Sequence, residues 1–104
     1  MICTLTARRL EPGAYEKFRQ AWDPTRANHD ALRQWSRIYH CRDVSDPDVV
    51  ISFGFFEGSL DELREAQARL GRASQVERVD PLLAAVLLDG SFEVIEELVP
   101  ERVS

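Results

Sequence analysis

Two strand-like apolar runs at the centre of the chain organise its pattern of hydrophobic and polar positions. Between Trp35 and Glu57, the runs Ser36–Arg42 and Val49–Phe56 flank a polar segment of Asp, Ser and Pro residues. Asp and Ser hydrogen-bond their own backbone in turns and Pro presets φ, so this pattern predicts a β-hairpin. The second run is almost continuously apolar, which indicates a strand that is covered on both faces.

The register of this hairpin is open between two alternatives. With the turn centred on residues 45 and 46, Ile38 faces Phe53 and shares its side of the sheet. In the same register His40 faces Ile51. A slip of one residue would place Tyr39 on that side instead, because side chains alternate along a strand. We expect the first register, with Phe53 and His40 on the side that the helices cover.

The segment before the hairpin predicts a strand followed by a helix. Residues 1–10 alternate in a β-prone pattern, and Pro12 suits a first helical turn. Tyr15, Phe18 and Trp22 then recur at helical spacing, so this helix should lay an aromatic stripe on the sheet. It should end near residue 23, because the residue before a proline disfavours the α conformation. We interpret residues 25–34 as a connection, with a second short helix capped at residues 23–24 as the alternative.

The segment after the hairpin predicts two further helical stretches and a last strand. Ser59 and Glu62 have the spacing of a capping box, which begins a helix over residues 60–70. Residues 72–79 keep the helical period and could continue it. Asp80 and Pro81 restart a helix whose body is the apolar run 82–88. The alternating residues 91–100 then predict the final strand.

The order β-α-β-β-α-β predicts a single α+β domain over residues 1–104, with the ferredoxin-like arrangement. Its four-stranded antiparallel sheet has the first and third strands at the centre and helices on one face. The third and last strands carry apolar residues in both parities, so a monomer would expose an apolar sheet. We therefore expect a homodimer that packs sheet against sheet. Gly54, inside the third strand, indicates that a helix, a partner chain or a ligand approaches closely there.

Composition narrows the classes of partner. The net charge is −5 and the sequence has no basic stripe, which argues against a nucleic-acid partner. The apolar run 82–88 is too short to span a membrane and no signal peptide is visible, so we expect a cytoplasmic protein with reduced thiols. Cys3 and Cys41 should lie two strand spacings apart, about 9–10 Å. That separation exceeds the ~7 Å limit for a disulfide, so we expect none.

The chain resembles dimeric α+β barrel domains of the antibiotic-biosynthesis-monooxygenase type. The matching residues include Phe18, the Arg37-Ile38-Tyr39 strand, the Asp46-Pro47 turn and the segment Phe55–Leu63. The resemblance implies a dimeric barrel with a pocket between the sheet and the helices of each subunit. It also implies either a cofactor-independent monooxygenase for a small aromatic substrate or a non-catalytic binding or assembly domain. Many members carry a histidine near the position of Ala66, but this sequence has no histidine after His40, so the resemblance does not extend to haem ligation or His-assisted catalysis at that position.

His40 is the best candidate for proton transfer, since imidazole titrates near neutral pH. It could also be a hydrogen-bonded strand histidine with no catalytic role. We expect apolar walls of the site from a set of four side chains, with plain core packing as the alternative: Trp22, Trp35, Ile38 and Phe53. The sequence has no CxxC or HxxxH spacing and no glycine-rich phosphate loop, so we expect no metal and no cofactor.

Overall fold

A computed structural model of the chain describes residues 1–21, 29–70 and 78–101. The elements, in chain order, are β1 (Ile2–Leu10), α1 (Tyr15–Ala21), α2 (His29–Leu32), β2 (Trp35–Arg42), β3 (Val49–Phe56), α3 (Leu60–Arg69), a 3₁₀ turn (Asp80–Leu82) and β4 (Leu83–Glu93). The expected end of the first helix near residue 23 and the continuation of the second through residues 71–77 lie outside the described residues.

The four strands form one antiparallel sheet in the order β2-β3-β1-β4. The first and third strands are central, as the β-α-β-β-α-β order predicts. In α3 the predicted capping box is present: the Ser59 hydroxyl accepts from Glu62 N–H at 3.2 Å, and the Glu62 carboxylate accepts from Ser59 N–H at 3.1 Å. These bonds satisfy two backbone donors at the start of the helix and fix where the chain leaves the hairpin.

Among the residues that the structure describes, two apolar clusters hold the helices to one face of the sheet. In the first cluster Val50 packs with Leu10 and with Phe18 of α1. In the second, Phe56 packs with Leu63 and Ala66 of α3, and all three side chains are fully buried. Val50 and Phe56 have the same parity on β3, so the even-numbered residues of that strand face the helices. The odd-numbered residues face the opposite side, which we call the open face.

The hairpin has the slipped register, so the expected register is wrong. Tyr39 pairs with Phe53 and His40 pairs with Ser52. Phe53 therefore lies on the open face, where its ring stacks on Tyr39 with centroids 5.1 Å apart. The physical reason lies in the turn, where the Asp43 carboxylate accepts from two backbone N–H groups, at 2.7 and 3.3 Å. The strand pairs are centred on residue 46, half a residue later than the expected centre between residues 45 and 46. This shift pairs Phe53 with Tyr39 in place of Ile38.

The C-terminal third also differs from the sequence prediction. The expected helix body 82–88 and the expected strand 91–100 are both wrong, because β4 runs from Leu83 to Glu93. Only a 3₁₀ turn remains of the helix that Asp80 and Pro81 were expected to begin. Leu and Ala favour helices, but pairing with β1 along its length overrides that propensity. Between the pairs of Ala7 and Arg8 the register shifts, because β4 has one extra residue there. Residues of β4 before and after this point therefore face the same side of the sheet with opposite parities, which explains why its apolar residues occur in both parities.

Three smaller expectations have clear outcomes. Part of the connection expected at residues 25–34 is helical, since α2 covers His29–Leu32. The close approach expected at Gly54 is made by a side chain of the neighbouring strand: a Cβ there would lie 2.9 Å from Trp35 Cδ1. Cys3 and Cys41 are both free, as expected, because β3 lies between their strands.

Candidate functional site

A polar row crosses the helix-facing side of the sheet from edge to edge. His40 of β2 pairs with Ser52 of β3, Ser52 pairs with Thr6 of β1, and Thr6 pairs with Asp89 of β4. Paired residues project from the same face, so these four side chains share the side of Val50 and the helices. The row lies between the two apolar clusters, at the place where a continuous core would otherwise run.

The next row toward the second cluster is made of mostly small side chains. It consists of Ile38, Gly54, Thr4 and Ser91 in sheet order. Gly54 is buried, and Thr4 and Ser91 are half-buried. The two rows contribute no aromatic side chain and a single aliphatic one, and the indole of Trp35 lies over Gly54 in the second row. The sequence thus builds a polar floor between two apolar ends, the form that small-molecule sites commonly take.

The imidazole of His40 is oriented by its neighbour across the strand. His40 Nδ1 lies 2.9 Å from Ser52 Oγ, within hydrogen-bond distance. When Nδ1 carries the proton and donates to the serine, Nε2 on the far side of the ring is the basic nitrogen. His40 is exposed at the edge strand, so a ligand can reach it from that side.

Trp35 supplies the aromatic surface beside this floor. Its indole lies against Gly54, and the indole N–H donates to the Thr4 hydroxyl with Nε1 and Oγ1 3.3 Å apart. The ring also makes an edge contact with Phe56, with centroids 4.8 Å apart. Trp35 thereby crosses β3 from β2 to β1, which is possible only because residue 54 has no side chain. Ile38 continues this apolar border toward the edge and is 41% exposed.

Two arginines flank the polar row on its other side. Val50 of β3 pairs with Arg42 of β2 on one side and with Arg8 of β1 on the other, so all three residues face the helices. The Arg42 guanidinium lies 4.3 Å from the ring centre of Tyr15, and that of Arg8 lies 5.7 Å from the ring centre of Phe18. Such contacts attach cations to aromatic faces of α1. They place positive charge next to the row that contains His40.

The structure brings together His40, Ile38 and Trp35 of the expected site residues. Trp22 lies outside the described residues, so its role stays a prediction. Phe53 was expected as a wall beside His40 and is wrong in that role, because the register puts it on the open face with Tyr39. Ala66, where the sequence lacks the histidine that the resemblance led us to look for, is fully buried in the second cluster.

Sequence reasoning missed the neighbours of His40 in the polar row. Ser52 and Gly54 are the small residues inside the otherwise apolar β3, both in the parity of the buried Val50 and Phe56. A small or polar residue on a core-facing parity is the signal that would have indicated a site. Thr6 carries the same signal on β1, where its neighbours of equal parity include the buried Leu10.

The described part of the chain holds no group of three or more His, Cys, Asp or Glu side chains arranged to bind a metal ion. Within the same residues, no helix is long and apolar enough to cross a membrane.

No protein-family model matches the sequence, and no curated protein matches it significantly. Solved structures match the fold closely. SnoaB, a cofactor-independent oxygenase from Streptomyces nogalater, is 19% identical with a TM-score of 0.74, over 96% of this chain and 97% of that one. A candidate antibiotic biosynthesis monooxygenase from Deinococcus radiodurans is 11% identical with a TM-score of 0.76, over 98% of this chain and 100% of that one.

A third such protein, from Chloroflexus aurantiacus, is 12% identical with a TM-score of 0.73 and covers 94% of this chain and 96% of its own. Each of the three alignments spans nearly the full length of this chain and of the protein aligned with it. Together with the strand order and the helices on one face, they confirm the fold that the sequence resemblance implied. The chain therefore has the ferredoxin-like α+β fold of the antibiotic-biosynthesis-monooxygenase-like proteins.

Proposed function

We propose that this protein is a cofactor-independent oxygenase that acts on a small phenol or quinol bound between the sheet and the helices. The observation that carries the proposal is the polar row, with His40 held by Ser52 between two apolar clusters. A site for an aromatic substrate needs apolar surface for the ring and one group that takes its proton. The helix-facing side of the sheet offers both.

In this proposal His40 is the general base. In the tautomer in which Nδ1–H donates to the Ser52 hydroxyl, Nε2 is the nitrogen that removes the phenolic proton. The resulting phenolate is more electron-rich than the phenol and reacts directly with dioxygen, which is the oxidant. One oxygen atom enters the ring, and the other leaves as water with two hydrogens of the substrate. A phenol plus O₂ thus becomes a quinone plus water, with no further reductant.

The surroundings of His40 suit such a substrate. The Trp35 indole and Ile38 give the aromatic ring an apolar surface on one side of the row. Arg8 and Arg42 lie on the other side and favour the phenolate over the phenol through their charge. The similarity to SnoaB, which is a cofactor-independent oxygenase, supports the reaction class.

The direct test is oxygen uptake with a panel of hydroxynaphthalenes and anthrones, using protein free of flavin and metal. We expect the His40→Ala variant to lose about 10²-fold or more in kcat with its fold intact, as removal of a general base does. Tyr39→Phe is the matched control, because Tyr39 is the next residue on the strand and faces the opposite side. It should keep the rate of the wild-type protein.

Equal rates for His40→Ala and the wild type would remove His40 from the mechanism. Saturable binding of these aromatics without oxygen uptake would instead identify a ligand-binding domain of the same fold, and the oxygenase proposal would then be wrong.

We propose further that the protein is a homodimer joined through the open faces of its two sheets. This face carries apolar side chains from all four strands, several of them exposed: Cys3, Leu5, Ala7, Tyr39, Ile51, Phe53, Phe55, Leu88 and Phe92. Monomers rarely expose apolar patches of this extent. The interface should bury more than the ~1,600 Å² of a standard complex. A monomeric mass in light scattering at micromolar concentration would contradict it.

We place this dimer in the cytoplasm, where the free thiols of Cys3 and Cys41 would stay reduced. A folded protein recovered mainly from a secreted fraction of its own cells would contradict this location.

A further inference from the structure

The guanidinium of Arg42 lies beside the polar row and is held by an aromatic ring. Arg42 follows His40 by two residues on β2, so both side chains project from the helix-facing side, about 6–7 Å apart along the strand. The guanidinium carbon lies 4.3 Å from the ring centre of Tyr15 in α1. A guanidinium that stacks on a ring in this way keeps the N–H groups at its edge for a further acceptor. Arg42 therefore presents a positioned set of donors next to the candidate base.

The acidic residues that follow Arg42 in the hairpin turn all bind other groups. The Asp43 carboxylate accepts from two backbone N–H groups of the turn, at 2.7 and 3.3 Å. Asp46 forms an ion pair with Arg9 at 2.8 Å, and Asp48 accepts from a backbone N–H before α1 at 3.3 Å. Within the described residues Arg42 forms no ion pair, although the chain has 18 acidic residues and 13 basic ones. Its charge is thus left for a group from outside the chain.

The second cation of this side, Arg8, is placed differently. It lies two strands from Arg42 across Val50, a separation of about 9–10 Å. Arg8 is half-buried against Phe18, so its charge acts near the middle of the polar row, where the proposed phenolate forms. Arg42 is exposed on the edge strand, so a charged group of a ligand can reach it without a full loss of its water. The two arginines can therefore serve two anionic groups of one ligand.

We infer that Arg42 binds a carboxylate of the substrate, so that the preferred substrate is a hydroxyarene that also bears a carboxylic acid. The hydroxyl of the same molecule is bound at His40, so the inference rests on the proposed function. A naphthalene with these two groups on different rings can span His40 and Arg42 along the strand. Arginine binds a carboxylate through two parallel N–H···O bonds, which fix the orientation of the bound molecule. Arg42 thus selects the substrate and determines which of its rings meets His40.

The test compares the binding of an acid with that of its neutral counterpart. The acids are naphthoic acids with a hydroxyl on the ring that does not bear the carboxyl group and a free position para to that hydroxyl. The primary amide of each acid has nearly the same shape and no charge. Isothermal titration calorimetry at neutral pH gives both dissociation constants for the wild type, for Arg42→Met and for the matched control Arg37→Met. Arg37 lies on the same strand and pairs with Phe55, so the control removes an equal charge from the open face.

We expect the wild type to bind the acid roughly 10-fold more tightly than the amide, as hydrogen bonds between charged groups allow. Arg42→Met should lose this preference, and Arg37→Met should keep it. Equal affinities for acid and amide in the wild type would overturn the inference without any variant. An unchanged preference in Arg42→Met would also overturn it, as would an equal loss in Arg37→Met, because the net charge of the protein would then decide the affinity.

Oxygen uptake with the same compounds separates this inference from the proposed function. For the wild type, kcat/KM should be roughly 10-fold higher for the acid than for the amide, because a contact kept through the reaction raises kcat/KM by its binding factor. Oxygen uptake with equal kcat/KM for both would contradict the carboxylate contact and leave the oxygenase in place. Acid-selective binding without oxygen uptake would contradict the oxygenase and support the contact. Binding of neither compound in any pair would overturn both proposals.

Discussion

Replacing Gly54 with alanine tests whether the floor of the site is made by a missing side chain. A Cβ at this position would lie 2.9 Å from Trp35 Cδ1, 3.0 Å from the Arg37 carbonyl oxygen and 3.1 Å from Ile38 Cγ1. Ordinary carbon contacts are about 3.5–4.0 Å, so all three neighbours are too close. The Arg37 oxygen is backbone of the paired strand and cannot rotate away. The strands must shift, or the indole must leave its position.

Overpacking of this kind typically costs about 1–3 kcal/mol. For a domain of this size each kcal/mol lowers the melting temperature by roughly 4–8 °C. We therefore expect Gly54→Ala to lower both the free energy of unfolding in urea and the melting temperature by such amounts. The Trp35 fluorescence should also change in the folded state, because the hydrogen bond from its indole to Thr4 is lost.

Gly90→Ala is the matched control for this experiment. A Cβ at Gly90 would lie 2.8 Å from Phe92 Cζ, a shorter contact than any at Gly54. The obstacle is the end of a half-exposed ring that can turn aside, so we expect a change within about 1 kcal/mol. Both variants are measured at one protein concentration, since dimerisation contributes to apparent stability. Equal stabilities for Gly54→Ala and the wild type would refute the close packing of Trp35.

Three further predictions follow from local contacts. Ser59→Ala removes the capping box and should lower the free energy of unfolding by about 1 kcal/mol in urea denaturation. The hydrogen bond from Arg9 lowers the pKa of Asp46, so this carboxylate stabilises the fold above its ordinary pKa and ceases to do so as pH falls below about 4. The stability difference between wild type and Asp46→Asn should accordingly shrink with acid, and a constant difference would exclude this ion pair. Burial raises the pKa of the Cys3 thiol, so iodoacetamide should alkylate the exposed Cys41 first, as mass spectrometry of timed samples would show.

The hydrophobic pattern predicted the order of elements and the strand arrangement correctly, but it placed the last helix and the last strand wrongly. The segment that forms β4 is rich in Leu and Ala, which favour helices. Its Asp89-Gly90 pair is typical of a turn. Its strand conformation comes from β1, which offers an unpaired edge along its whole length. That information is long-range, and no local window of the sequence contains it.

Only some residues of the candidate site could be predicted, because the others depend on long-range strand pairing. His40 and Trp35 stand out by residue type, and the face of His40 was predicted correctly. The face of Phe53 depended on a register that the turn sets, and turns with several Asp residues allow more than one centre. Ser52 and Thr6 gain meaning only when pairing aligns them beside His40. A row of small polar residues of this kind is recognised from the strand pairing, because its members are far apart in the sequence.

The division of the core into two clusters means that melting temperature can serve as a search tool for the substrate. Phe18 and Leu63 anchor different helices, and within the described residues the polar row lies between their two clusters. A molecule bound over this row would contact both clusters and would be released on unfolding. At a concentration of 100 times its dissociation constant it would add about 2.7 kcal/mol to stability. A library of aromatics can therefore be ranked by thermal shift before any reaction has been observed.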